Sequence, residues 1–172
     1  MCSIIGCIHN ESSSGVADVL VESMGKMEYR GYDSVGVATL NDATISLKKG
    51  VGKVSDVNHQ LSLDALKGRV GIGHTRWATH GGVNESNAHP HVCARDEIAV
   101  VHNGIIENHL SLKEQLKKNG VVFKSETDTE VIPNLLSLSI LEEKDIKNAV
   151  IKTVSKLTGQ YSFIAMLKDK SL

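Results

Sequence analysis

Two segments constrain the fold of this chain more than any others. Residues 69–75 and 97–102 carry apolar side chains that are not confined to one alternating face, the pattern of strands covered on both sides. Residues 161–167 repeat it. Strands of that kind need a layer above and a layer below, and helical spacing elsewhere supplies the material. Val16, Leu20, Met24 and Met27, with Val19 widening the stripe, predict a helix over 15–28. Ile146, Val150, Val154 and Leu157 predict another, closed by Gly159. A third follows Asn103-Gly104 and ends at Asn119-Gly120 with lysines in its last turn. Residues 125–128 offer N-caps for a fourth, running to about Leu141, in which Pro133 is expected to remove one hydrogen bond and introduce a kink. Further strands are predicted at 3–8 and 121–124, with a hairpin of 35–40 and 44–48 around Asn41-Asp42 and a weakly patterned short helix within 53–66. The order of elements favours layered sheets over a regular βαβ alternation.

Composition narrows the function classes. A chain of 172 residues, 41% hydrophobic and 23% charged, is long enough for one soluble domain with a real core. A net charge of −1 with both signs interspersed gives no surface for nucleic acid or an anionic membrane, and 3% aromatics leave no base-stacking platform. The N-terminus lacks the pattern of a secretory signal, and no stretch approaches the ~20 apolar residues of a membrane span. Cys2, Cys7 and Cys93 are odd in number and without framework spacing, which suits a reducing, cytoplasmic setting.

The chemistry concentrates at four places. Removal of Met1 would leave Cys2 with a thiol and a free α-amine on one residue. Such an amine titrates near ~8, so a useful fraction is neutral and able to take the proton of its own thiol. Residues 76–96, rich in Gly, His and Asn, have no periodicity and lie between buried strands, the usual character of a functional segment. Asn103-Gly104 offers a side-chain amide and an approachable backbone N–H for a developing oxyanion. Arg76 presents a fork suited to a carboxylate, and Asp128 a partner for an ammonium, so together they suit an amino acid. Taken singly, each of these residues is more commonly a turn, surface or capping residue. A metal site at His89, His91 and Cys93, with His74, His80 and His102 nearby in sequence, is the rival reading. Its spacing matches neither a zinc finger nor a His-Glu-x-x-His helix, so no metal and no cofactor is expected.

The combination is far more specific than its parts. MCSIIG at 1–6, EYRGYDS at 28–34, GHTRWATHG at 73–81, NAHPHV at 87–92, VVHNGIIENH at 100–109 and SETDTEVI at 125–132 resemble the glutaminase domain of the glutamine–fructose-6-phosphate aminotransferase (isomerizing) family, among the class II glutamine amidotransferases. The resemblance implies an α+β fold, the four-layer αββα sandwich of N-terminal-nucleophile hydrolases, incomplete here at the C-terminus. It implies one amidotransferase domain over 1–172, without sugar-phosphate isomerase domains. It makes Cys2 the nucleophile and its α-amine the base, with Asn103 and Gly104 as the oxyanion hole. Arg76 and Asp128 would bind the α-carboxylate and α-ammonium of L-glutamine, and Thr79 and His80 belong to the loop that closes over it. Trp77 matches the gate of an ammonia channel, Arg30 and Gly31 pack near the nucleophile, and His89 lines the site. Fructose 6-phosphate would be reached only through the absent isomerase domains, and a homo-oligomer is expected. The chain departs from the family at Ser3, where glycine is usual, at Pro133, and in its length. The alternative function is a truncated, catalytically silent paralogue that serves as a binding or interaction module.

Overall fold

The computed structural model describes residues 2–9, 15–78, 81–143 and 145–168. The sequence folds as two antiparallel sheets stacked between two layers of helices. The first sheet contains β1 (Ser3–Ile8), β2 (Ser34–Asn41), β3 (Thr44–Val51) and β4 (Val70–Arg76), in the order β1-β4-β2-β3. The second contains β5 (His91–Val92), β6 (Ile98–Ile106) and β7 (Gly159–Leu167), in the order β5-β6-β7. Helices α1 (Val16–Met27) and α2 (Val54–Leu61) cover the first sheet, and α3 (His109–Lys118), α4 (Val131–Glu142) and α5 (Ile146–Lys156) belong to the second.

The two-sided apolar strands explain the stacking. On β6, Ile98 and Val100 face the helices and join Leu112, Leu116, Ile132 and Leu136 in one core. Their alternates Ala99 and Val101 face the other sheet and meet Ala38, Ile72 and Met166. On β2, Val35 and Val37 turn toward α1 and α2, packing with Leu20, Met24, Val54 and Val57. A period of two thus feeds three separate cores, and the result is the predicted αββα arrangement.

Several local expectations are corrected. Residues 121–124 form no strand: Lys124 and Ser125 donate their backbone N–H groups to the Glu130 carboxylate, at 2.9 and 2.7 Å, instead of to a sheet. Pro133 does not interrupt a helix, because α4 begins at Val131 and the first-turn N–H groups of a helix have no internal partner to lose. In α5 the buried line is Ala149, Thr153 and Leu157, whereas Val150 and Val154 face outward. These smaller residues let α5 approach α4 closely enough for the Thr153 hydroxyl to reach Ser139 at 3.1 Å. Val19 likewise faces outward from α1. β7 is an edge strand paired only with β6, and of its residues only Met166 is buried. The polar segment 76–96 contributes the short strand β5. Finally, β6 runs on through Asn103-Gly104 to Ile106 rather than stopping before them.

Candidate active site

The site lies where the ends of β1, β4 and β6 meet. Pairing of Ser3 with Thr75 brings the start of β1 beside the end of β4, so Cys2 faces the backbone of Trp77. The Trp77 N–H donates to Cys2 Sγ at 3.1 Å, and the thiol lies 3.4 Å from the Trp77 carbonyl oxygen. Close approach of Gly31 maintains this edge: a Cβ there would lie 2.8 Å from the Arg76 carbonyl carbon and 2.9 Å from Trp77 N. Asp33 adds a second tie, accepting from Ala78 N–H at 2.8 Å. Trp77 itself is 44% exposed and meets Tyr32 edge-on at 5.5 Å.

From the second sheet, Asn103 Nδ2 donates to the Cys2 carbonyl at 3.0 Å. Its neighbour Gly104 has φ +113°, and a Cβ there would fall 2.1 Å from the Gln160 carbonyl oxygen of β7. Only glycine lets β6 carry its backbone past Cys2 while still pairing with β7. A side-chain amide, a glycine backbone and a thiol are thus held together by two separate sheets.

Two cavities meet at Cys2. An open cleft of about 610 Å³ is lined by Cys2, Arg30, Trp77, Asn103, Gly104 and Tyr161, among others. A smaller polar cavity of about 30 Å³ shares Cys2, Asn103 and Gly104 with the cleft and adds Arg76 and Asp128. Arg76 and Asp128 are both buried. Arg76 donates to the carbonyls of Gly82 and Gly81, at 3.2 and 3.4 Å. Burial lowers its pKa from the ordinary guanidinium value, opposed by the negative charges of Cys2 as thiolate, Asp33 and Asp128. Asp128 Oδ2 accepts the N–H of Ile106 at 2.8 Å, and its loop is shaped by Glu130. That carboxylate accepts the Lys124 and Ser125 N–H groups and the Ser125 hydroxyl. A volume of ~30 Å³ is about that of one water molecule.

Beneath the cavity lies a group of buried histidines. His74 Nε2 is 3.1 Å from both the His102 carbonyl oxygen and Asn103 Oδ1. The ring of His74 stacks on that of His89 at 4.1 Å. His89 accepts the His102 N–H at Nδ1 and meets Thr129 through Nε2. His91 Nε2 lies 3.1 Å from the Thr127 hydroxyl. Burial lowers the pKa of His74 to about 3 and those of His89 and His91 well below the usual imidazole value. These rings are therefore neutral near pH 7. Cys93 turns its sulfur to the Glu97 N–H at 3.4 Å instead of toward the histidines. Among the described residues, no group of three or more His, Cys, Asp or Glu side chains is placed to hold a metal.

Of the residues singled out in the sequence, Cys2, Arg76, Trp77, Asn103, Gly104, Asp128, Arg30, Gly31 and His89 converge on this edge. Thr79 and His80 lie outside the described residues. Sequence reasoning passed over the roles of His74, Thr129, Glu130 and Asp33. The run SETDTE held the signal for two of them, since its final carboxylate folds back on the run's own backbone.

Comparison with known proteins agrees with this geometry. Residues 74–172 match the family described as the glutamine amidotransferase domain. The chain belongs to this family. It is 47% identical over 174 residues to the glutamine–fructose-6-phosphate aminotransferase (isomerizing) of Methanococcus maripaludis, covering 98% of this chain and 28% of that protein. The enzyme of the same name from Methanothermobacter thermautotrophicus is 49% identical, with 96% of this chain and 28% of the relative covered. The chain therefore spans little more than a quarter of the length of these relatives. Among solved structures, the glutamine phosphoribosylpyrophosphate amidotransferase of B. subtilis superposes with TM-score 0.81 at 24% identity, over 98% of this chain and 35% of that one. A structure described as the allosteric regulatory enzyme of purine biosynthesis gives TM-score 0.81 at 27% identity, over 96% of this chain and 35% of that one. The fold is that of the Ntn-type glutamine amidotransferases.

Proposed function

We propose that this chain hydrolyses L-glutamine to glutamate and ammonia through a γ-glutamyl thioester on Cys2. The observation that carries this reading is the meeting of one thiol, one side-chain amide and one glycine N–H at the junction of two sheets, beside a buried Arg76 and Asp128. After loss of Met1, the α-amine of Cys2 takes the thiol proton and the sulfur adds to the side-chain carbonyl carbon of glutamine. Asn103 Nδ2 and the Gly104 N–H bind the resulting oxyanion. Collapse breaks the C–N bond, the amine's proton leaves with ammonia, and water then cleaves the thioester to give glutamate. Arg76 and Asp128 hold the two charged ends of the amino acid, and Trp77, Arg30, Gly31 and His89 shape the surroundings.

The ammonia serves an acceptor bound elsewhere. The names of the curated relatives point to fructose 6-phosphate, for which the isomerase domains of a longer protein would be needed. A cytoplasmic location and a homo-oligomer accompany this reading. The test is release of glutamate and ammonia in equal amounts from glutamine by the purified, Met1-free chain, abolished in Cys2→Ala. A Cys2→Ala protein as active as its parent would refute it, and an inactive, folded, Met1-free parent would favour an interaction module.

A further inference from the structure

We propose that His74 is a positioning residue that fixes which way the Asn103 amide points, and so keeps a donor rather than an acceptor at the oxyanion position. The inference rests on the glutamine-hydrolysis reading. Its basis is the pair of contacts at His74 Nε2, 3.1 Å from the His102 carbonyl oxygen and 3.1 Å from Asn103 Oδ1. A carbonyl oxygen only accepts, so Nε2 must carry the proton of the neutral ring. The same N–H then faces the amide and demands that its oxygen lie on the His74 side. A flipped amide would oppose N–H to NH₂ and turn Oδ1 toward the Cys2 carbonyl, which now accepts from Nδ2 at 3.0 Å. It would also present a lone pair to the developing negative charge.

The surroundings hold His74 in this state. Nδ1 is buried with no hydrogen-bond partner among the described residues, as suits the unprotonated nitrogen. The ring is fully buried and stacks on His89 at 4.1 Å with 30° between planes. His89 is pinned in turn: its Nδ1 accepts the His102 N–H at 3.3 Å, so its proton is on Nε2 and is donated to Thr129 Oγ1 at 3.2 Å. Thr129 Oγ1 also lies 2.8 Å from His102 Nδ1. Thr129 thus anchors the His89 ring on which His74 stacks, and the His74 Nε2–H faces the amide beside Cys2. Coordinating partners of this kind commonly fix both tautomer and orientation in a site.

The experiment compares His74→Phe, which keeps a ring for the stack but has no donor, with His74→Gln, which restores an N–H near the Nε2 position. His74→Phe should lower kcat by about ten- to a hundredfold, less than the ~10²–10³ cost of removing an oxyanion donor outright. KM for glutamine should stay within about twofold, because Arg76 and Asp128 are untouched. Alkylation of Cys2 by iodoacetamide, read by peptide mass, should proceed at the parental rate. His74→Gln should recover most of the lost turnover. The ¹⁵N imidazole spectrum of the parent chain should show the His74 proton on Nε2. A His74→Phe protein with parental kcat, or a His74→Gln protein as impaired as His74→Phe, overturns the proposal. So does a proton on Nδ1, which decides the matter even if His74→Phe fails to fold. A parent chain that leaves glutamine intact would instead defeat the functional reading, with the imidazole spectrum still judging the orientation of Asn103.

Discussion

Gly104→Ala perturbs the site where the fold leaves least room. The new Cβ would stand 2.1 Å from the Gln160 carbonyl oxygen and 2.7 Å from Tyr161 Cα, both backbone atoms of the paired strand β7. Reaching even a tight 3.0 Å contact requires β6 and β7 to separate by about 0.9 Å. A φ of +113° adds strain for any residue with a side chain, on the order of 1–3 kcal/mol, and overpacking adds roughly the same again. The loss of stability should thus be about 2–6 kcal/mol, a large part of the 5–15 kcal/mol of an ordinary domain. A displacement near 1 Å at the Gly104 N–H should lower turnover by roughly a hundredfold in the molecules that stay folded.

Gly159→Ala separates the two effects. Gly159 has φ +129° and a Cβ there would lie 2.2 Å from the Ile105 carbonyl oxygen, but it pairs with Ile106 and lies outside both cavities at Cys2. It should destabilise the chain by a similar amount while reducing turnover per folded molecule only severalfold. Urea unfolding followed by ellipticity gives the first quantity, and ammonia release in the absence of denaturant gives the second. A Gly104→Ala protein with the parental urea midpoint and parental turnover would refute the steric argument. Equal turnover losses in the two variants would refute the placement of the Gly104 N–H at the developing oxyanion.

Asn103→Ala should lower kcat by ~10²–10³ with glutamine KM nearly unchanged, whereas Arg76→Ala and Asp128→Ala should act mainly by raising KM, because each leaves a charged end of the amino acid unpaired; steady-state kinetics on the three proteins checks the split. Acid should destabilise the fold before the carboxylates titrate. His74 has a pKa of about 3 when folded against 6.5 unfolded, so between these values the unfolded chain binds the extra proton and stability falls as pH drops. From pH 6.5 to 5 that amounts to about 2 kcal/mol for His74 alone, with His89 and His91 shifted in the same direction. A urea midpoint identical at pH 7 and pH 5 would contradict this.

Much of this architecture was legible because the strongest signals are periodic. Val16, Leu20 and Met24 predict α1 and are among its buried residues, and Asn41-Asp42 marks the hairpin of β2 and β3, with Asp42 at φ +52°. The two-sided apolar strands required layers on both faces, and Ile98/Val100 and Ala99/Val101 supply them. What failed depended on partners distant in sequence. The apolar run Val121 to Lys124 predicts a strand, yet among the described residues it pairs with none, and the Glu130 carboxylate takes the backbone donor of Lys124. Val150 and Val154 looked like the core stripe of α5, but packing against α4 favours the smaller Ala149 and Thr153. At the site, the types of residue were readable while their wiring was not. Nothing local to HTRWATHG shows that His74 points at an amide from the other sheet, since that contact exists only once β4 lies over β6.

The proposed chemistry stands or falls with Cys2, freed of Met1, as the nucleophile that meets the glutamine side chain. The most direct measurement is mass mapping of the chain after reaction with a diazoketone analogue of glutamine, with excess glutamine as competitor. One stable adduct is expected, on an N-terminal peptide that begins at Cys2, suppressed by glutamine and reduced in Arg76→Ala. An adduct on Cys7 or Cys93, or labelling that glutamine does not suppress, would contradict it.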